Sequence, residues 1–235
     1  MINQHRLEEI KSLATNKSAE EFLFELSEKF KDKIVFSTSL SLEDQLITHI
    51  IFSNDLQIRV FTIDTGRLFN ETYSLFQKTN EFYDKKIQIY FPKHEEVEKL
   101  VSEKGPFSFY ESIENRKECC YIRKVEPLNR ALTGMEAWIT GIRAEHSPDR
   151  NVIEQVEWDE LHQVFKFHPL LYWSARKVED YIKQHNIPYN HLHDKGYVSI
   201  GCAPCTRSVK VGEDFRAGRW WWENNSKKEC GLHIH

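Results

Sequence analysis

Lys33-Ile34-Val35-Phe36-Ser37-Thr38-Ser39-Leu40-Ser41-Leu42-Glu43-Asp44-Gln45 decides the fold. Ile34, Val35 and Phe36 form an uninterrupted apolar run, the pattern of a short strand buried on both faces. The hydroxyl-rich turn Ser37–Ser41 follows. Ser41, with Asp44 three residues on, fits an N-cap for a helix running through Leu46, Ile47 and Ile50. A strand, a polar turn and a helix N-terminus make an anion site, because unpaired N–H groups and the helix dipole converge on one point. The same pattern also describes an ordinary serine-rich connection between strand and helix, so local sequence leaves two readings open.

The neighbouring segments decide the architecture. Arg59-Val60-Phe61-Thr62-Ile63 is predicted as a second strand ending in Asp64-Thr65-Gly66-Arg67. A helix is predicted from Leu68 to Tyr83 and a third strand over Ile87–Phe91. Strands alternating with helices at this spacing imply right-handed crossovers and a mostly parallel, twisted sheet flanked by helices. Ligands in such sheets sit beyond the carboxyl ends of the strands. The Ser37–Ser41 turn and the Asp64–Arg67 turn both occupy that position.

Further along, residues 93–118 read as a helix and a connection through Gly105-Pro106-Phe107. Cys119–Leu132 reads as a helix with Pro127 as a kink or boundary, and Ala137–Thr140 as a fourth strand. The loop after it, Gly141-Ile142-Arg143-Ala144-Glu145-His146-Ser147-Pro148-Asp149-Arg150, carries guanidinium groups suited to oxyanions. Val152–Glu157 and Gln163–Phe167 read as a hairpin, and Trp173–His185 as a surface helix. Upstream, residues 18–31 show a capping-box pattern at Ser18 and Glu21, with Phe22, Leu23, Leu26 and Phe30 at helical spacing.

The chain has 235 residues and a net charge of −4, which argues against a general nucleic-acid binder. No apolar run approaches the roughly 18 residues of a membrane span. The opening Met1-Ile2-Asn3-Gln4-His5-Arg6 lacks the apolar stretch of a secretory signal. These features lead us to expect a cytoplasmic protein with reduced thiols, where cysteine patterns signal metal or catalysis.

Five cysteines are present. Cys119 and Cys120 are adjacent, Cys202 and Cys205 flank an Ala-Pro turn, and Cys230 stands near the C-terminus. Four thiolates suit a tetrahedral zinc or a [4Fe–4S] cluster, and the adjacent pair fits the spaced pairs of zinc sites poorly. Lys117, Arg123 and Lys124 supply positive charge beside the pair. Cys230, between Lys227-Lys228 and His233, has the setting of a reactive thiolate. The histidines of His191-Leu192-His193 and His233-Ile234-His235 read as loop residues, since four thiolates already complete a site. Trp220, Trp221 and Trp222 read as packing, with Arg216 and Arg219 beside them as the functional candidates.

Taken together, these motifs resemble the assimilatory sulfonucleotide reductases, specifically the cluster-containing adenylylsulfate (APS) reductases, from about residue 33 to the end. The motifs that carry the likeness are Ser37–Asp44, Ile63–Gly66, Cys119-Cys120, Cys202-Ala203-Pro204-Cys205, Arg216–Trp220 and Glu229-Cys230-Gly231-Leu232-His233. The resemblance implies a Rossmann-like α/β fold related to the ATP pyrophosphatases (adenine nucleotide alpha hydrolase-like). It also implies one domain over residues 1–235, with a helical extension at 1–32 and a mobile tail at 220–235. The loop lacks the glycines of the pyrophosphatase version, which argues against ATP cleavage.

The resemblance further implies that Cys119, Cys120, Cys202 and Cys205 hold a [4Fe–4S] cluster and that Cys230 is the nucleophile. Substrate contacts are implied for Ser37, Thr38, Ser39, Ser41, Glu43 and Asp44, and for Asp64, Thr65 and Gly66 near the adenosine. They are implied also for Lys124 against cluster and substrate, and for Arg143, Arg150, Arg216 and Arg219 at the phosphosulfate end, with Gly141 and His233 completing the set. The implied reaction is reduction of APS to sulfite and AMP in sulfate assimilation and cysteine biosynthesis. Thioredoxin or glutaredoxin is the implied reductant. Neither a membrane nor a nucleic acid is expected as a partner, while a homo-oligomer stays open. Competing readings are a 3′-phosphoadenylylsulfate (PAPS) or dual reductase, an iron–sulfur tRNA thiolase, and a zinc-stabilised binding module.

Overall fold

The capping box anticipated at Ser18 forms. Ser18 accepts the Glu21 amide, the Glu21 carboxylate accepts the Ser18 amide, and helix α2 runs Ala19–Phe30. The computed structural model describes residues 4–146 and 153–223. Ahead of α2 lies α1 (Gln4–Ser12), in which Ile10 alone is buried, so little apolar periodicity announces it. The chain continues with β1 (Ile34–Ser37), α3 (Leu42–Ser53), β2 (Arg59–Ile63), α4 (Asn70–Tyr83) and β3 (Gln88–Tyr90). Three helices follow: α5 (His94–Lys104), α6 (Ile113–Cys120) and α7 (Glu126–Leu132). The last elements are β4 (Ala137–Ile139), β5 (Val156–Asp159), β6 (Val164–Phe167) and α8 (Ala175–Gln184).

The six strands form one sheet in the order β3-β2-β1-β4-β6-β5. β1 pairs in parallel with β2 and β4, β4 in parallel with β6, and β5 antiparallel with β6. The chain builds outward from β1 through β2 to β3, then returns to the other side of β1 with β4. The carboxyl ends of β1 and β4 therefore flank the point where strand order reverses, the preferred ligand position of an open α/β sheet.

Predicted boundaries move in two places: the first hairpin strand, expected at Val152–Glu157, is β5 at Val156–Asp159, and the helix expected from Cys119 changes. The adjacent cysteines close α6 instead of opening a helix at Cys119, and a π-turn over Tyr121–Val125 joins α6 to α7. Pro127 explains the π-turn: its ring clashes with a regular i−4 carbonyl and it has no N–H to donate, so the helix widens just before it.

Contacts group into two compact units, each assembled from separated stretches. One comprises Met1–Thr62, Ser74–Gln88 and Leu132–Asn190; the other comprises Ile63–Tyr73, Ile89–Ala131 and His191–His235. In the first, α2 belongs to the core. Phe22 meets Phe167 of β6 edge to face with centroids 5.9 Å apart, and Phe30 packs on Phe165 and Phe167. Among the described residues no helix is long and apolar enough to cross a membrane. Removing a fully buried ring from such a core costs about 3–5 kcal/mol. We expect Phe22→Ala, at a residue with no exposed area, to lower the unfolding free energy measured by guanidinium denaturation by that amount. A loss below about 1 kcal/mol would show that α2 merely rests on the sheet.

Candidate functional site

The turn after β1 is held by its own polar groups. Thr38 donates its amide to Phe61 O (2.8 Å), and Leu40 donates its amide to Thr38 Oγ1 (3.0 Å). The Ser39 amide and hydroxyl both donate to Asp44 Oδ2, each at 2.6 Å. Ser41 caps α3 by accepting the Asp44 amide. Leu40 sits at φ 62, a left-handed conformation that costs a non-glycine residue about 1–2 kcal/mol. Its buried side chain and its bond to Thr38 hold it there. With the amides of residues 38–40 already spent, this turn cannot cradle an anion in the manner of a glycine-rich loop. The donors it offers are the α3 amides ahead of Asp44, whose own amide Ser41 caps, and the Ser37 hydroxyl.

The loop after β4 approaches the same helix. A Cβ on Gly141 would lie 2.0 Å from Asp44 Oδ1, so only glycine fits there. Arg143 is buried and donates from Nε to Glu43 Oε1 (2.8 Å) and from Nη1 to Glu145 Oε2 (2.6 Å) and Trp173 O (3.0 Å). Burial, with the neighbouring Glu43 adding to it, pushes the Asp44 carboxyl up to about 6 against the opposing Ser39 hydrogen bonds. Of the residues implied as substrate contacts, Glu43, Asp44 and Arg143 thus act first on each other and on the turn.

The second unit gathers the cysteines. Cys119, Cys120, Cys202 and Cys205 line a single pocket with Arg67, Arg116, Arg123, Lys124, Phe109 and Trp220. All four are free thiols. The π-turn brings Arg123 and Lys124 to the pocket directly after Cys120. Burial raises the Cys119 thiol, with Arg123 and Arg67 opposing, and pushes the Cys205 thiol up to about 12, with Cys202 adding to the rise. Among the described residues no three His, Cys, Asp or Glu side chains converge as ligands of one metal ion.

The donor set instead fits a larger anionic group. Four thiols surround one pocket, and the buried Nε atoms of Arg123 and Arg219 have no hydrogen-bond partner. An iron–sulfur cluster held by four thiolates is an anion that takes such N–H donors on its sulfurs.

The Asp64–Gly66 turn belongs to this unit as well. Asp64 Oδ1 accepts the Gly66 amide (2.7 Å) and the Tyr73 hydroxyl (2.9 Å). Thr65 Oγ1 lies 3.2 Å from Cys202 Sγ, and Arg123 Nη1 donates to Thr65 O (2.7 Å). Thr65 therefore contacts the cysteine set, a placement that its position after a strand does not reveal. Arg219 lies against Gly201, where a Cβ would meet its Nη2 at 2.3 Å. Arg116, Arg219 and Arg216 stand 4.6, 5.0 and 5.8 Å from the ring centre of buried Trp220. Sequence reading missed Arg116, Phe109 and Tyr73, which carry no motif of their own, and named Arg67 only as the end of the Asp64–Arg67 turn. Cys230, Arg150 and His233 lie outside the described residues.

Comparison with known proteins identifies the family. The family model described as the phosphoadenosine phosphosulfate reductase domain matches residues 33–208. The chain is 50% identical over 202 residues to the adenosine 5'-phosphosulfate reductase of Allochromatium vinosum, covering 86% of this chain and 79% of that one. It is 48% identical over 203 residues to the Burkholderia cepacia protein of the same name, covering 86% and 81%. The crystal structure of PAPS reductase from Candida auris, a phosphate complex, superposes with a TM-score of 0.74 at 27% identity, covering 89% of this chain and 98% of that one. An FMN adenylyltransferase of Candida glabrata shares the fold alone, with a TM-score of 0.55 at 15% identity over 88% of this chain and 68% of that one. The chain belongs to the phosphoadenosine phosphosulfate reductase family.

Proposed function

We propose that this protein reduces APS to sulfite and AMP with a thiol reductant, in a reducing cytoplasm. The observation that carries the reading is the set of four free thiols around one cation-lined pocket. The proteins named adenosine 5'-phosphosulfate reductase that match most of the chain support APS as the substrate. Cys119, Cys120, Cys202 and Cys205 would hold a [4Fe–4S] cluster, with Arg123 and Arg219 donating to it. Bound there, the cluster would act by its position and charge beside the substrate.

Cys230 is the nucleophile. Its thiolate attacks the sulfate sulfur, the bond from that sulfur to the bridging oxygen breaks, and AMP departs with the electron pair. The Ser37 hydroxyl and the α3 N-terminus bind the phosphosulfate end and stabilise the leaving charge. Lys124 and the arginines at 143, 150, 216 and 219 supply further positive charge. A thiolate of thioredoxin or glutaredoxin then attacks the Cys230 sulfur, expelling sulfite and forming a mixed disulfide. A second thiol resolves it, so two thiols are oxidised for each sulfonate reduced.

Intact-mass spectrometry of anaerobically reduced protein mixed with APS should show a sulfonate on Cys230 that reduced thioredoxin removes. Cys230→Ser should form no adduct and lose about a thousandfold or more in turnover. An adduct-free wild type containing iron and sulfide would refute the mechanism, and kcat/KM for PAPS in the same preparation tests the dual reading.

Asp44 sets a pH limb. Ionised, it accepts both Ser39 donors; protonated, it gives one up. Its raised carboxyl means that this grip weakens as pH falls through about 6. KM for APS should rise on that acid limb. In Asp44→Asn, KM should be about tenfold higher at neutral pH and the limb should disappear. An unchanged limb in the variant would assign it to another group.

A further inference from the structure

We infer that Trp138 is a positioning residue for the anion site, one that turns the Ser37 hydroxyl into an outward-pointing donor. This rests on the reading that the turn after β1 binds the phosphosulfate end of the substrate.

Trp138 lies in the middle of β4 and Ser37 at the end of β1. In the parallel register Trp138 stands opposite Val35, so Ser37 is two residues along the same face of the neighbouring strand. The Trp138 indole Nε1–H donates to Ser37 Oγ at 2.8 Å. An indole N–H is a donor and nothing else, so the serine oxygen must accept. The remaining hydroxyl proton then points away from the indole. No described residue accepts it, and the Ser37 side chain is only half-buried at the end of its strand.

The indole is well placed to fix this direction. Trp138 is buried, with 1% of its surface exposed. His162 meets its ring edge to face at 5.7 Å, and the buried Lys166 holds Nζ 4.9 Å from the ring centre. A cation over the ring draws electron density from it and strengthens the N–H as a donor. A serine whose oxygen already accepts a hydrogen bond is in turn a better donor to an incoming oxyanion, because bonds in a chain polarise one another.

The accounting of the turn makes this donor matter. The amides of Thr38, Ser39 and Leu40 are spent internally. A hydroxyl aimed by a fixed indole replaces one amide that a glycine-rich loop would offer, and it suits one tetrahedral oxyanion.

The test uses the full-length protein and AMP as the probe. Saturating AMP should shift the Trp138 indole Nε1–H resonance in ¹⁵N-correlated NMR, and in Ser37→Ala that response should vanish. Kd for AMP should weaken about five- to tenfold in Trp138→Phe and in Ser37→Ala, and the double variant should be no weaker than either. Additive losses, or an AMP-dependent indole shift that survives in Ser37→Ala, would overturn the assignment. If Trp138→Phe does not fold, the response of the wild-type indole and its loss in Ser37→Ala decide the matter alone. Wild-type protein that binds neither AMP nor APS would instead defeat the underlying substrate reading. Binding with an unmoved indole defeats only the role of Trp138.

Discussion

Asp44 and Gly141 share a space that admits no side chain at position 141. That close approach lets the loop after β4 lie against the first turn of α3, at the point where strand order reverses. Glu43, beside Asp44, and Arg143, two residues past Gly141, then meet as a buried ion pair at 2.8 Å. Buried pairs of this kind add little net stability over apolar packing, but losing one partner strands a charge and costs about 3–5 kcal/mol. Their effect here is to fix geometry. The Asp44 carboxyl shows the cost of doing so. Because its folded value lies near 6, above the ordinary 3.8, its favourable contribution to folding is complete below 3.8 and is lost as pH rises through about 6. At neutral pH the fold therefore carries an ionised buried carboxylate that opposes stability while organising Ser39.

The second unit shows the same tension in another form. Four thiols are brought together without a disulfide, and burial drives Cys205 far from ionisation. Arg116 is satisfied by a bidentate pairing with Glu223, at 2.7 and 3.1 Å, whereas Arg123 and Arg219 each keep a buried Nε with no partner. Such unsatisfied donors cost about 1–3 kcal/mol each. A tetrahedral zinc with four thiolates would demand that the sulfurs converge on one ion, which these side chains do not do. The proposed cluster would spread its thiolates around a larger core, and its sulfurs would be available to the stranded N–H groups.

Much of this was legible in the sequence because it depends on local rules. The strand Arg59–Ile63 coincides with its apolar run, Ser41 caps α3, and the box at Ser18 closes. The fold class followed from strands alternating with helices. Local pattern failed where a distant group decided the outcome. Cys119-Cys120 end a helix because Pro127, seven residues beyond Cys120, forces a π-turn over Tyr121–Val125, a register shift that periodicity does not encode. Thr65 looked like a turn residue beside a nucleotide, but its hydroxyl meets a thiol 137 positions away in sequence. Trp138 falls in a predicted strand, and nothing in Ala137-Trp138-Ile139 reveals that its N–H meets a serine on the adjacent strand.

The composition of the turn after β1 then has a physical meaning. A glycine-rich phosphate loop presents consecutive amides and so surrounds a polyphosphate with many donors. This turn has no glycine, binds three of its amides internally, and holds Leu40 in a conformation that glycine would adopt without strain. The strain is retained because Leu40 is buried and its amide is tied to Thr38. What is left is a small number of donors, each fixed by a bond behind it: Ser37 by an indole, and the α3 amides by a helix whose cap and first-turn carboxylate are both engaged. The internal bonds of the turn therefore leave it fewer anion donors than a glycine-rich loop presents, and each remaining donor is held rigid before any ligand arrives.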